Sequence, residues 1–184
     1  MESNGRYYGK YRGTVLNNID PMQVGRLTVQ VPDVKGVIPS TWAMPCFPVS
    51  GKQMGAYTIP PIGAGVWVEF EQGDPDYPIW SGCWFGSVAE VPLVGLSGNP
   101  LSPNIVIQTV AQNAIVIGDA PPAPPPLPAL PPGVPVPGGI TLRSTTGAYI
   151  VVNDAGVFLS NGKGASITMI GPTVAINTGA LAIT

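Results

Sequence analysis

The chain has 184 residues, including 24 Gly and 23 Pro, so about a quarter of it is turn-formers and helix-breakers. It carries 8 basic and 10 acidic residues, a formal net charge of −2 and no His. Together these exclude a helical protein, a His-based hydrolase and the usual His-bound zinc site, while 45 % hydrophobic residues exclude a disordered chain.

The two cysteines, Cys46 and Cys83, are too few for a disulfide scaffold or a four-cysteine metal site. Their isolation predicts small buried apolar side chains, with a single disulfide as the alternative. The near-neutral charge provides no overall attraction to nucleic acid or acidic membranes. The polar start MESNGRYYGKYRG and the lack of an 18-residue apolar run predict neither a signal peptide nor a transmembrane segment.

Charge divides the chain. Residues 1–90 hold 14 of the charged residues, all four Trp and five of the six Tyr; residues 91–184 hold only Asp119, Arg143, Asp154 and Lys163. This predicts a first domain over 1–90, a Pro- and Gly-rich linker over 91–104 and a second domain over 105–184.

In chain order, Tyr11–Leu16 and Arg26–Val31 alternate polar and apolar residues around the turn Asn18-Ile19-Asp20-Pro21. Residues 32–65 are loop-rich, with six Pro. Val66–Glu71 alternates again, Gly73-Asp74-Pro75-Asp76 signals a turn, and Tyr77–Phe85 completes a predicted hairpin. About five strands in 90 residues suit a small OB-type barrel, which also removes exposed sheet edges.

The second half begins with apolar strands at Ile105-Val106-Ile107 and Ala114–Ile117. Residues 121–137 then hold ten Pro and are incompatible with helix or an inner strand. As polyproline II this run spans roughly 50 Å, and it is assigned to a loop over 120–139. Strand signals resume at Ile140-Thr141-Leu142 and Tyr149–Val152. Val157, Ile167, Val174 and Leu181 each open an apolar-x-apolar unit separated by turn residues, an irregular β repeat. Such short strands have little core of their own, and their edges carry almost no blocking charge. Self-association into a three-faced prism is the expected remedy. An aggregation-prone tail is the competing reading.

Several segments resemble a known family. They are Tyr8-Gly9-Lys10-Tyr11-Arg12-Gly13, Asp20-Pro21, Gly25-Arg26-Leu27, Val31-Pro32-Asp33, Trp42-Ala43-Met44-Pro45-Cys46, and the run from Ile59 through Gly63-Ala64-Gly65-Val66-Trp67-Val68-Glu69 to Pro78-Ile79-Trp80-Ser81-Gly82-Cys83-Trp84. This set resembles the OB domain of phage baseplate central spike proteins, the assembly protein V type and the valine-glycine-repeat (VgrG) spikes. The tail, Ser160 through Leu181, resembles the β-helical needle of the same family. The resemblance implies an all-β protein: an OB-fold barrel followed by an intertwined triple-stranded β-helix.

It further implies a non-enzymatic, cofactor-free homotrimer in a contractile, phage-tail-like injection machine. That spike would join a baseplate hub to a tip, puncture the target envelope and touch its membrane transiently. It would assemble in the cytoplasm and then belong to a virion or injection particle. Its partners would be a separate hub protein, since only about six residues precede the barrel, a PAAR-type tip protein, and other baseplate components or cargo. Nucleic acid is not expected as a partner. With no His the chain cannot build the His-bound metal tip of some short spikes, so its apolar end calls for a cap. Leu181, Ile183 and Thr184 are assigned to that contact.

The residues expected to matter follow from this reading. Trp42, Gly63, Gly65, Trp67, Glu69, Trp80, Gly82 and Trp84 are assigned to the barrel core and motif, with Trp67, Trp80 and Trp84 supplying aromatic core area. Tyr7, Tyr8, Tyr11 and Arg12 are assigned to a surface facing the hub. The needle core is expected at Ile150, Val152, Val157, Leu159, Ile167, Met169, Val174 and Ile176.

Alternatives attach to particular residues. The run Arg6–Arg12 mixes aromatic and basic types, as oligonucleotide-binding OB-folds do, but 1–90 holds more acidic than basic residues. Glu69, Glu71, Asp74 and Asp76 are placed for paired-carboxylate hydrolysis or calcium binding; a solvated strand face and a turn explain them more simply. The Pro-rich run lacks the flanking basic residues of an SH3-type ligand. The principal alternative to a spike is an OB-fold binding module for oligonucleotide or glycan on a trimeric β stalk.

Overall fold

The computed structural model describes residues 5–119, 138–177 and 181–183; the Pro-rich run and Thr184 lie outside them. The chain divides into two compact units, Met1–Glu90 and Val91–Thr184.

In the first unit, β1 (Tyr11–Asn17) pairs antiparallel with both β2 (Thr28–Gln30) and β6 (Gly65–Phe70). β6 forms a hairpin with β7 (Pro78–Trp84), and β7 runs parallel to β3 (Met44–Pro45). The circuit closes between Leu27 and Ala43, which exchange backbone hydrogen bonds of 3.1 and 2.7 Å. A five-stranded closed barrel with one parallel contact results.

The alternation in β6 decides what fills it. Val66, Val68 and Phe70 point inward and join Val15, Leu27, Val29, Ala43 and Trp80 in one buried core. The loop-rich 32–65 holds a helical turn, α1 (Pro32–Lys35), opened by a proline at a position where no amide donor is needed, and a small hairpin of β4 (Ser50–Gly51) and β5 (Met54–Gly55).

The β1–β2 connection is organised by Asp20. Its carboxylate accepts backbone N–H bonds from Met22 (3.0 Å), Val24 (3.0 Å) and Arg26 (3.2 Å), and pairs with Arg26 Nη2 at 2.7 Å. The Arg26 side-chain bonds come first in holding its pKa far below the ordinary 3.8, and the backbone donors add to them against the opposing effect of burial. A depressed folded-state pKa stabilises the fold in full above the ordinary value and loses that contribution as pH falls below it. We therefore expect Asp20→Asn to lower the thermal unfolding midpoint at pH 7, with the gap to wild type narrowing below pH about 4. A gap of equal size at pH 7 and pH 3 would contradict this role.

The expectation of buried cysteines fails: Cys46 and Cys83 are both exposed free thiols. Cys46 directly follows β3, and Cys83 lies near the end of β7, opposite Val66.

In the second unit, 91–104 is more than a joint. α2 (Leu93–Leu96) buries Val94 against Ala114 and Val116, and β8 (Gly98–Asn99) pairs with β9 (Ser102–Pro103). Asn104 Nδ2 ties this segment down through bonds to Val94 O (3.0 Å) and Ser97 O (2.9 Å).

An eight-stranded antiparallel sheet follows in strict chain order: β10 (Ile105–Gln108), β11 (Ala114–Gly118), β12 (Gly139–Arg143), β13 (Tyr149–Asn153), β14 (Gly156–Ser160), β15 (Ser166–Ile170), β16 (Thr173–Ile176) and β17 (Leu181–Ile183). One five-residue turn recurs along one side of it, over 109–113, 144–148 and 161–165. In each copy the first residue's N–H donates to the fifth residue's carbonyl, and the first side chain, Thr109, Ser144 or Asn161, accepts the fifth N–H. The fourth position, Gln112, Gly147 or Gly164, has positive φ.

Successive turns also interlock. Thr145 N–H donates to Asn113 Oδ1 at 3.1 Å, and Gly162 sits so close to its neighbour that an added Cβ would lie 2.7 Å from the Gly147 carbonyl carbon. Only glycine fits there.

Candidate functional site

Pairing in the eight-stranded sheet proceeds without a register slip, so residues fall in rows across it. On one face a first row runs Ile107, Ile115, Leu142, Ile150, Leu159, Ile167, Ile176 and Leu181. A second row runs Ile105, Ile117, Ile140, Val152, Val157, Met169, Val174 and Ile183. Every position in both rows is aliphatic.

From ordinary strand spacings the strip is about 33 Å long, with its rows about 7 Å apart. Among the described residues of one chain it is uncovered: Ile105 and Ile107 are exposed by 63 % and 65 %, and Leu142, Ile150 and Val152 by 40–44 %. An exposed aliphatic strip of this length marks an interaction surface.

The opposite face differs in chemistry. One of its rows carries Gln108, Arg143, Tyr149 and Ser160, with Arg143 Nη2 donating to Gln108 Oε1 at 3.2 Å. Burial pushes the Arg143 pKa down and the Tyr149 pKa up. Val151, Phe158 and Tyr149 are buried on this side within the single chain. Among the described residues, the aliphatic face is thus the one left without a covering layer.

The other candidate residues belong to β1 and the segment before it. Tyr7 and Tyr11 pack on Phe70, with ring centroids 6.1 and 5.6 Å away, while Tyr8 is exposed. Arg12 stands over Trp67 and Trp84, 5.9 and 5.3 Å from their ring centroids. The basic-aromatic run is therefore largely engaged with its own barrel.

Three of the four carboxylates of the β6–β7 hairpin have cationic partners: Glu69 with Lys10 (2.9 Å), Asp74 with Arg6 (3.4 Å) and Asp76 with Lys35 (2.8 Å). Among the described residues, no group of three or more His, Cys, Asp or Glu side chains is placed to hold a metal.

The amino-acid sequence matches two families in succession. Residues 11–85 match the type VI secretion system/phage-baseplate injector OB domain, and residues 104–182 match the phage baseplate V C-terminal trimerisation domain. The chain belongs to the baseplate V family of spike-type proteins. No curated protein matches it. The two matches in this baseplate V family member fall on the closed barrel and on the meander with its aliphatic face, and both families are structural components of baseplates. Among its described residues, no helix is long and apolar enough to cross a membrane.

Within the OB domain the tryptophans expected in the core divide between its two faces. Trp80 is buried and donates its indole N–H to Gly25 O at 3.0 Å. Trp67 and Trp84 lie on the outer face instead, half-buried under Arg12. Glu69 is on that same outer face, held by Lys10.

The reason is a bulge. Val66 pairs with Cys83 and Val68 with Trp80, so β7 contains one extra residue there, at Ser81-Gly82. Gly82 (φ 121°) absorbs it and turns Trp84 to the side opposite Trp80. Gly65 is required by close approach, since an added Cβ would lie 2.6 Å from the Trp84 ring. Gly63 lies in the turn before β6, and Trp42 is half-buried beneath Arg26, 5.2 Å from its ring centroid.

In the trimerisation domain, the eight expected needle-core positions all fall on the aliphatic face, in the two rows. Six further members were missed: Ile105, Ile107, Ile115, Ile117, Ile140 and Leu142. Their signal is the same apolar-x-apolar unit, present in Ile105-Val106-Ile107, Ile115-Val116-Ile117 and Ile140-Thr141-Leu142. Leu181 and Ile183 occupy the last strand at register with Ile176 and Val174; Thr184 lies outside the described residues.

Proposed function

We propose that the chain is the trimeric central spike of a contractile, phage-tail-like injection machine. Three copies bring their aliphatic faces together on a common axis, winding into a β-helical needle. The observation that carries this reading is the pair of uninterrupted aliphatic rows, exposed in one chain and lying within the trimerisation match. Burying such faces in one shared core is strongly favoured over leaving them in water.

The spike does no chemistry of its own. The barrel joins it to a separate hub protein, through a surface that includes Tyr7, Tyr8, Tyr11 and Arg12. The needle's far end, with Leu181, Ile183 and Thr184, receives a PAAR-type tip, and sheath contraction by other proteins drives the assembly through the target envelope. Stiffness comes from short interlocked turns and a fully paired backbone.

Deleting residues 181–184 tests the tip assignment. Co-purification with a co-expressed PAAR-type protein should be lost while the truncated chain keeps the wild-type mass in solution. Undiminished capture of the tip protein would overturn the assignment.

A further inference from the structure

A groove of about 490 Å³ opens on the barrel exterior between the segment before β3 and the start of β7. Its walls include Trp42, Met44, Tyr77 and Ile79, and its two carboxylates are Glu71 and Asp76. Asp76 is neutralised by Lys35 at 2.8 Å. Glu71 is different: its carboxylate has no ionic or hydrogen-bond partner among the described residues, although the other three carboxylates of this hairpin each have one.

The groove floor is fixed in place. Trp42 is pinned by Arg26, whose guanidinium is in turn held by Asp20, and Thr41 Oγ1 donates to Asp76 O at 2.8 Å. The site is thus a preformed aromatic and thioether surface with one uncompensated negative charge. That chemistry suits a cation on an apolar stem.

We propose that this groove receives an arginine side chain from a partner protein. The methylene stem lies along Met44 and Ile79. The planar guanidinium stacks against Trp42 or Tyr77 and offers two N–H donors to Glu71. Guanidinium suits the site better than ammonium because it is flat, weakly hydrated and able to meet a carboxylate in a fork. The proposal stands apart from the trimer reading, since all the residues involved belong to the barrel.

The test uses the full-length chain, 15N-labelled, with its four indole N–H resonances followed by NMR during titration with N-acetyl-arginine methylamide. The neutral isostere N-acetyl-citrulline methylamide serves as the matched probe. The Trp42 signal should move saturably with arginine, with a dissociation constant on the order of 1 mM. The signals of Trp67, Trp80 and Trp84 should stay in place and report an intact barrel.

Citrulline, or Glu71→Gln with arginine, should bind at least about tenfold more weakly, the loss expected for a hydrogen bond to a charged group. The proposal is overturned by a static Trp42 signal, by equal binding of citrulline, or by unaltered binding in Glu71→Gln. Movement of Trp42 on diluting the protein alone would identify a second copy as the occupant and equally overturn it.

Discussion

Ile150→Asp should leave the chain monomeric at concentrations where the wild type is trimeric. Ile150 sits mid-strip, between Leu142 on β12 and Leu159 on β14. In a trimer closed on this face, three carboxylates would meet in an aliphatic core without partners, at a cost of several kcal/mol for each ion. Even neutralised by protonation, they would leave polar groups with nothing to bond. Thr168→Asp is the matched control, since Thr168 is half-buried on the opposite face, beside Phe158. It should keep the oligomer. Equal behaviour of the two variants in sedimentation would mean that the wrong face has been assigned to the axis.

Trp80→Ala should destabilise the barrel by about 3–5 kcal/mol, the range for emptying a large buried aromatic site. Trp80 is 4 % exposed, meets Phe47 edge-on at 5.5 Å and spends its indole N–H on Gly25 O. Truncation therefore opens a cavity and leaves a buried carbonyl unpaired. Trp67→Ala should cost much less, since it removes a half-buried ring and a stacking contact with Arg12 worth about 0.5–1 kcal/mol at an exposed site. All four Trp lie in residues 1–90, so the remaining indoles report barrel unfolding in either variant. Denaturant midpoints that fall equally for Trp80→Ala and Trp67→Ala would contradict the division into inner and outer faces.

That division shows what was legible in the sequence. The β6–β7 hairpin was readable because Val66–Glu71 alternates and Asp74-Pro75 turns the chain. The same alternation puts Trp67 on the face of Glu69, so its outward position was already implicit. Trp84 was not readable in this way. Its spacing of four from Trp80 predicts a shared face, and the bulge at Gly82, which reverses it, arises from pairing with a distant strand.

The buried state assigned to the cysteines failed for a similar reason: isolation in sequence says nothing about whether the folded chain covers a thiol. In the second unit, apolar-x-apolar units revealed the strands. The register, which aligns β10 to β12 with the later strands in unbroken rows, emerges only from the strand pairing itself, fixed for three of the pairs by the turns at 109–113, 144–148 and 161–165. The open carboxylate of Glu71 was likewise hidden, because its isolation depends on where Lys10, Arg6 and Lys35 reach across the barrel.

In the proposed spike the aliphatic face is closed by two further copies of the same chain. The most direct measurement is the solution mass of the full-length protein by size-exclusion chromatography with light scattering, over a dilution series. A trimer closed in this way gives a species three times the 19.0 kDa chain mass that persists on dilution. A stable 19.0 kDa monomer would contradict it.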